Sequence, residues 1–387
     1  MEYNDAFAVC IHKIEKNMFK MPFGLREYPP AADGNYFDVE EQNTKAFSHI
    51  MNWTASFYTG MAIWAFVKTR ELPYLQWLNA QYPKYRAKVF ETPEDTMHDL
   101  GFLYSLYAVP MFRMTGDVNH RAIAWKAADE LAKRFIWKGG YIKAWGRMDG
   151  KVGPNVSRED ARDHFFTQSE GLAIIDCMMN LPLLYWASCQ TGNPFYRSVA
   201  MQHADTTLQY FIRQDGSVYH AFRFDADGNP AGGCNYCGYG DESSWARGMA
   251  WAIYGFAISY RYTGKRDYFD TAIALAHTFI NQSGASMVPV WDFRLPIGQP
   301  ANEDASAAAI AACGFLEIYQ HDHTQVSLLQ YAKDVACTLS GEKYLNSDSD
   351  CPGVLRHQNG SECYTIFGDY FYMELLGRLL GLPDFFW

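Results

Sequence analysis

Two kinds of helix-length segment alternate along this chain. Six are apolar on nearly every side and rich in small and aromatic residues: 54–67, 99–114, 171–189, 244–262, 305–319 and 365–380. A helix with no polar face is a buried helix. Six others carry their charges along one face: 3–20, 72–90, 119–137, 194–213, 267–281 and 324–340. These are expected outside, each with an apolar stripe turned inward. An outer helix followed by an inner one, six times over, predicts helical hairpins arranged in a ring. The expected fold is therefore all-α, an (α/α)6 barrel of six inner and six outer helices forming one domain over residues 1–387.

The connections sharpen that picture. Thr115-Gly116-Asp117, Thr191-Gly192-Asn193 and Thr263-Gly264-Lys265 follow inner segments, and in each the glycine can take the left-handed conformation that ends a helix. By contrast, the segments leading into inner helices three to six are long (138–170, 214–243, 282–304 and 341–364) and carry Gly, Pro, Asp, His and Trp. Long connections in a compact domain are usually functional. If the inner helices run parallel, these loops and the inner-helix N-termini gather on one rim, and that rim is the expected site.

Candidate chemistry on the rim begins with two aspartates. Asp99 stands at the head of the second inner helix, and Asp176 lies about a turn into the third, inside the run Leu172-Ala-Ile-Ile-Asp-Cys-Met-Met. A carboxylate there must be paired, protonated or set at a polar cavity, because burying it bare costs several kcal/mol. Catalysis and a purely structural hydrogen-bonding role both stay open on the residues alone. Asp241, Asp304 and Asp369 sit at or near inner-helix starts and read as caps. His98 and His220 are the histidines nearest the rim, where a lone histidine is more often packed than catalytic. Of the aromatic residues, Trp53, Trp245, Trp251 and Phe367 fall at inner-helix starts. Most aromatic residues must be core, but a subset facing a cavity would suit the C–H faces of sugar rings. Arg247, inside an otherwise apolar helix, calls for an anion, either a protein carboxylate or a substrate carboxylate.

Composition excludes some alternatives. With 49% hydrophobic and 20% charged residues, the chain can bury a large core and is not a disordered one. A net charge of -10 without clustered cations argues against a nucleic-acid partner. The apolar runs 250–259 and 305–316 fall short of the ~20 residues a membrane helix needs, and Met1 to Cys10 does not resemble a signal peptide. The expected compartment is the cytoplasm, with the chain a monomer or homodimer. Nine scattered cysteines favour free thiols. Cys234 and Cys237 form a C-x-x-C, but Cys351 and Cys363 are twelve apart and do not supply the second close pair of a zinc site. No metal and no cofactor is expected.

Longer motifs go further. Asn52-Trp-Thr, His98-Asp-Leu-Gly-Phe-Leu-Tyr-Ser-Leu, Ala144-Trp-Gly, Ile174-Ile-Asp-Cys-Met-Met-Asn-Leu-Pro-Leu-Leu and Tyr219-His-Ala-Phe-Arg-Phe-Asp occur in that order. They are followed by Ser244-Trp-Ala-Arg-Gly-Met-Ala-Trp, Trp291-Asp-Phe, Asp304-Ala-Ser-Ala and Tyr364-Thr-Ile-Phe-Gly-Asp-Tyr-Phe-Tyr. In these motifs the chain resembles the unsaturated glucuronyl hydrolases of glycoside hydrolase family 88 over nearly its whole length. The resemblance implies the same barrel. It also implies removal of a 4,5-unsaturated uronic acid from the non-reducing end of lyase-generated oligosaccharides of glycosaminoglycan type, by hydration of the C4=C5 vinyl ether. By resemblance Asp176 is the acid/base, Asp99 assists, and Trp53, His98, His220, Trp245, Arg247 and Trp251 bind the sugar.

Departures from the family pattern are Cys237, where the family often has Gln, a shortened loop at 356–363 lacking the Ser/Lys pattern that goes with sulfated substrates, and an insertion at 150–166. Two alternatives stay open: an unsaturated rhamnogalacturonyl hydrolase acting on pectin fragments, and a sugar 2-epimerase on the same barrel, which would rely on His98 and His220.

Overall fold

The computed structural model describes residues 1–18, 47, 49–154, 156–349, 351–358 and 363–387. The outer helices are α1 (Tyr3–Met18), α3 (Leu72–Phe90), α6 (Val118–Ala132), α9 (Pro194–Tyr210), α11 (Arg266–Ser283) and α13 (Val326–Leu339). The inner ring is α2 (Ala55–Thr69), the pair α4 (Leu100–Ser105) and α5 (Ala108–Thr115), α8 (Leu181–Thr191), α10 (Ala246–Thr263), α12 (Ala305–His321) and α14 (Ile366–Leu379). A short helix, α7 (His164–Thr167), lies in the insertion. Packing runs from α2 to α4, then α8, α10, α12 and α14, and back to α2, so the ring closes. One apolar cluster extends from Ala6 to Trp387. This is the expected (α/α)6 barrel. The expected outer segment 3–20 is helical over Tyr3–Met18, and its last two positions lie outside the described residues.

The helix ends follow the turn chemistry. Gly116, Gly192 and Gly264 hold φ of 72°, 71° and 69° after α5, α8 and α10. In each turn the preceding threonine hydroxyl accepts from the backbone N–H two residues on, at 3.2, 3.2 and 3.1 Å. The same turn follows α2 with Arg70 in place of glycine at φ 63°, and there Thr69 Oγ1 accepts from the Glu71 N–H.

Two inner segments depart from expectation, each because of a proline. The continuous helix expected over 99–114 breaks between α4 and α5. Pro110 has no N–H to offer the Leu106 carbonyl, and its ring would crowd that oxygen. Thr59 on α2 donates its hydroxyl to the freed carbonyl at 3.1 Å. The segment 171–189 is helical only from Leu181, with Pro182 in the first turn. Upstream, Leu172–Ile174 forms β3, and Ile175–Met179 is a tight 3₁₀ turn. β3 pairs antiparallel with β4 (Ala221–Phe224), which pairs with β5 (Pro230–Cys234), in the register Leu172↔Arg223, Ala173↔Phe222 and Ile174↔Ala221. The other small hairpin, β1 (Phe135–Ile136) with β2 (Tyr141–Ile142), occupies the end of the segment expected as outer helix 119–137.

Candidate active site

The β3–β4 pairing assembles half of the rim site. The Ile175 N–H donates to the His220 carbonyl at 2.8 Å, so His220 arrives beside Asp176, Nε2 to Oδ2 3.6 Å. Asp176 thus sits on the 3₁₀ turn and not inside a helix, as the sequence reading had it. It is 9% exposed, and its Oδ2 accepts no hydrogen bond among the described residues. His220 Nδ1 accepts from the Tyr236 N–H at 3.0 Å; its ring lies 4.9 Å from that of Trp245. Burial works against protonation of His220, but the neighbouring Cys237 and the Asp176 carboxylate outweigh it and hold its pKa above the ordinary value.

The other half comes from the head of α4. Asp99 is 7% exposed, and its side chain does not cap the helix it begins; its Oδ2 lies 3.3 Å from His98 Nε2. Burial, reinforced by the Asp176 carboxylate and opposed by Arg134 and Lys88, pushes the Asp99 carboxyl up to about 8. Burial likewise pushes His98 down to about 3, so its imidazole is neutral.

Backbone contact joins the halves. A Cβ at Gly101 would stand 2.2 Å from Asn180 Cα, so α4 can approach the turn after Asp176 only with glycine there. Asn180 then bridges both sides: its Oδ1 accepts from the Phe102 N–H at 2.7 Å, and its Nδ2 donates to the Asp176 carbonyl at 3.2 Å. Lys88, buried on α3, donates to the carbonyls of Phe47 and His49 at 2.9 and 3.1 Å, fixing the entry to Trp53.

Aromatic residues floor the site. Trp53, half-buried, stacks on Phe367 with centroids 5.6 Å apart and meets Phe102 at 5.8 Å. Arg247 lies between Trp245 and Phe367, its guanidinium carbon 4.5 and 4.7 Å from the two rings. It donates to Asp304 at 2.7 Å, so a protein carboxylate meets the charge for which the sequence left two partners open. The expected sugar contact at Trp251 meets a correction. Its ring is 0% exposed, sealed behind Phe102 and Phe371 at 5.3 Å each, because the second turn of α10 faces the core and not the rim.

The expected caps divide. Asp304 caps α12 through the Ala307 N–H. Asp369 instead accepts from the N–H groups of Val354 and Leu355 at 2.9 and 2.7 Å, tying the preceding loop to α14, while Thr365 caps the helix. Asp241 accepts from the Asn235 N–H within its own loop. Sequence reasoning missed Asn180, Lys88 and Tyr236. The polar Asn180 just before Leu181-Pro182 in an apolar run was a signal for the first; nothing local marks the other two.

Buried carboxylates, each beside a histidine, on the aromatic rim of a helical barrel form the build of a sugar-processing enzyme. Residues 34–322 match Glycosyl Hydrolase Family 88, and the chain belongs to that family; it is a glycoside hydrolase. An unsaturated glucuronyl hydrolase of Bacillus sp. (strain GL1) is 34% identical, the alignment covering 97% of this chain and 95% of the relative. Its crystal structure superposes with a TM-score of 0.83, at 32% identity over 98% of this chain and 97% of that one. An unsaturated chondroitin disaccharide hydrolase of Streptococcus pyogenes serotype M1 is 32% identical over 97% of this chain and 91% of its own length. A mutant of the unsaturated glucuronyl hydrolase of Streptococcus agalactiae, solved with dGlcA-GalNAc6S, is 26% identical with a TM-score of 0.77, covering 100% of this chain and 93% of that one.

Proposed function

We propose that this enzyme, working as one catalytic unit, removes a 4,5-unsaturated uronic acid from the non-reducing end of lyase-generated glycosaminoglycan oligosaccharides by hydrating the C4=C5 double bond. The observation that carries the assignment of roles is the buried Asp176 carboxyl, with one oxygen unclaimed by hydrogen bonds and His220 beside it. Asp176, acting as general acid, passes a proton to C4. A water then adds through its oxygen to C5 and returns a proton to the carboxylate, which closes the acid/base cycle. The product at C5 is a hemiketal, which opens and releases the rest of the oligosaccharide. Asp99, protonated at neutral pH, donates a hydrogen bond to a sugar oxygen, and the buried His98, 3.3 Å from its other side, orients that carboxyl. Trp53 and Trp245 supply the apolar faces against which the ring lies.

The glycosaminoglycan assignment is supported by the chondroitin disaccharide and dGlcA-GalNAc6S substrates of the relatives, and the free state of all nine thiols fits a cytoplasmic enzyme. The test is loss of the vinyl-ether ultraviolet absorbance on mixing the protein with unsaturated chondroitin disaccharides. Wild type is expected to remove it, and Asp176→Asn to do so roughly 10²–10⁴-fold more slowly. Persistence of the band with every unsaturated disaccharide would overturn the reading.

A further inference from the structure

Arg134 follows α6 and is buried on the side of the barrel behind the site. It makes no ion pair with a carboxylate among the described residues. Each of its three nitrogens donates instead to main-chain carbonyls: Nε to Lys143 at 2.9 Å, one terminal nitrogen to Thr96 at 2.8 Å, and the other to Ala144, Trp145 and Gly146 at 3.1, 3.3 and 2.9 Å. The acceptors are informative. Thr96 lies two residues before His98. The Ala144 carbonyl also accepts from the His98 N–H at 3.3 Å, and the Ala144 N–H donates to the carbonyl of Leu172, the first residue of β3, at 2.9 Å. The guanidinium therefore binds one hub from which both the His98–Asp99 segment and the strand leading to Asp176 are hung.

A methionine would fill such a space without the cost of burying a charge. Since an arginine stands there, its charge has a use. Burial brings the Arg134 guanidinium down to about 10, still above the working range, and the groups it acts on electrostatically include Asp99, His98, Cys177 and Lys143. The other groups facing Asp99 and His98 are Lys88 from α3, Asp176 and Cys177 from the 3₁₀ turn, His203 from α9, and His220.

We propose that Arg134 is a positioning residue of the active site, holding the two carboxylate-bearing segments in register through its fan of carbonyl bonds. Its charge also opposes the burial that keeps the proton on Asp99. The catalytic half of this inference rests on the function proposed above. Arg134→Met and Arg134→Lys are compared with wild type by kcat and KM across pH on an unsaturated chondroitin disaccharide, with melting curves as the fold control. A displacement of about 1 Å costs up to about 10²-fold in rate, so Arg134→Met is expected to lose roughly 10- to 10²-fold in kcat with little change in KM. The basic limb of its profile should move to higher pH, because without the cation Asp99 keeps its proton longer. Arg134→Lys keeps the charge but not the fan, so its kcat falls while its limb stays in place.

A purely structural role would lower stability and leave the limb unmoved, and that result in a folded Arg134→Met protein overturns the proposal. If Arg134→Met does not fold, Arg134→Lys decides: undiminished kcat, or a moved limb, overturns it. The same displacement is read without turnover. The pH at which the stabilisation by Asp99→Asn stops growing, set by the folded value, must rise when Arg134→Met is added, so a failure of the hydrolase reading leaves this test standing.

Discussion

Replacing Asp99 by asparagine is expected to stabilise the fold while weakening catalysis, and the size of the gain depends on pH. The carboxyl moves from an ordinary 3.8 to about 8 in the folded protein, chiefly through burial and then through Asp176. Below the ordinary value both folded and unfolded chains hold the proton, and the group contributes nothing to the difference. As pH rises, the unfolded chain releases the proton and the folded one does not. Fewer protons on the unfolded side mean that stability falls with pH, until the loss is complete once pH has passed through the folded value.

The two values lie about four pH units apart, and each unit is worth about 1.4 kcal/mol, which sets a ceiling on the order of 5–6 kcal/mol. Coupling to Asp176 and residual structure in the unfolded chain reduce this, and we expect about 2–3 kcal/mol above pH ~8. The assay is urea unfolding of wild type and Asp99→Asn from about pH 5 to about pH 9, which covers the upper part of the window and passes the folded value. The variant's advantage must widen with pH and level off once the folded value of about 8 is passed. An advantage independent of pH, or a variant less stable throughout, would show that Asp99 is not held protonated by the fold.

Other substitutions probe the rest of the site. Gly101→Ala drives a methyl into the Asn180 backbone, so it should cost about 1–3 kcal/mol in a melting experiment and also lower kcat, since it parts the two carboxylate segments. Arg247→Met leaves Asp304 buried without its cation. Burial would raise that carboxyl, and it is Arg247 and then His357 that hold it below the ordinary range. Chemical denaturation at neutral pH should show a loss of about 3–5 kcal/mol, shrinking as pH falls and Asp304 takes up a proton. Cys237 is exposed and interacts with His220, so iodoacetamide should slow turnover, substrate should protect, and Cys237→Ser should be indifferent to the reagent; inhibition that persists in the serine variant assigns the effect to another thiol.

Much of the barrel was legible in the chain because periodicity reports burial directly. The segment 72–90 is helical over those same residues, and the Thr-Gly turns fall where the glycines announce them. The failures have local causes. Pro110 and Pro182 were visible, yet the uninterrupted apolar runs around them outweighed the rule that a proline ends the helix behind it. Arg70 adopts a left-handed turn that sequence assigns by default to glycine. The site was legible as a set of residue types but not as an arrangement. His220 meets Asp176 through a strand register between segments more than forty residues apart in the chain, and no periodicity encodes a register. Trp251 carried the right motif on a face that only the packed ring reveals as inward.

The small sheet between β3 and β5 also constrains how this enzyme can diversify. Side chains alternate along a strand, so one residue inserted between His220 and Phe224 would turn the histidine to the opposite face, whereas two would restore it one rung away. Length changes near the reacting carboxyl are thereby admitted only in even steps. The turn at 225–229 lies past the last paired rung and is largely exposed, though Gly228 presses its backbone against Lys138, where a Cβ would stand 2.4 Å away. Length changes at this end of the hairpin should therefore leave the proton-transfer geometry untouched.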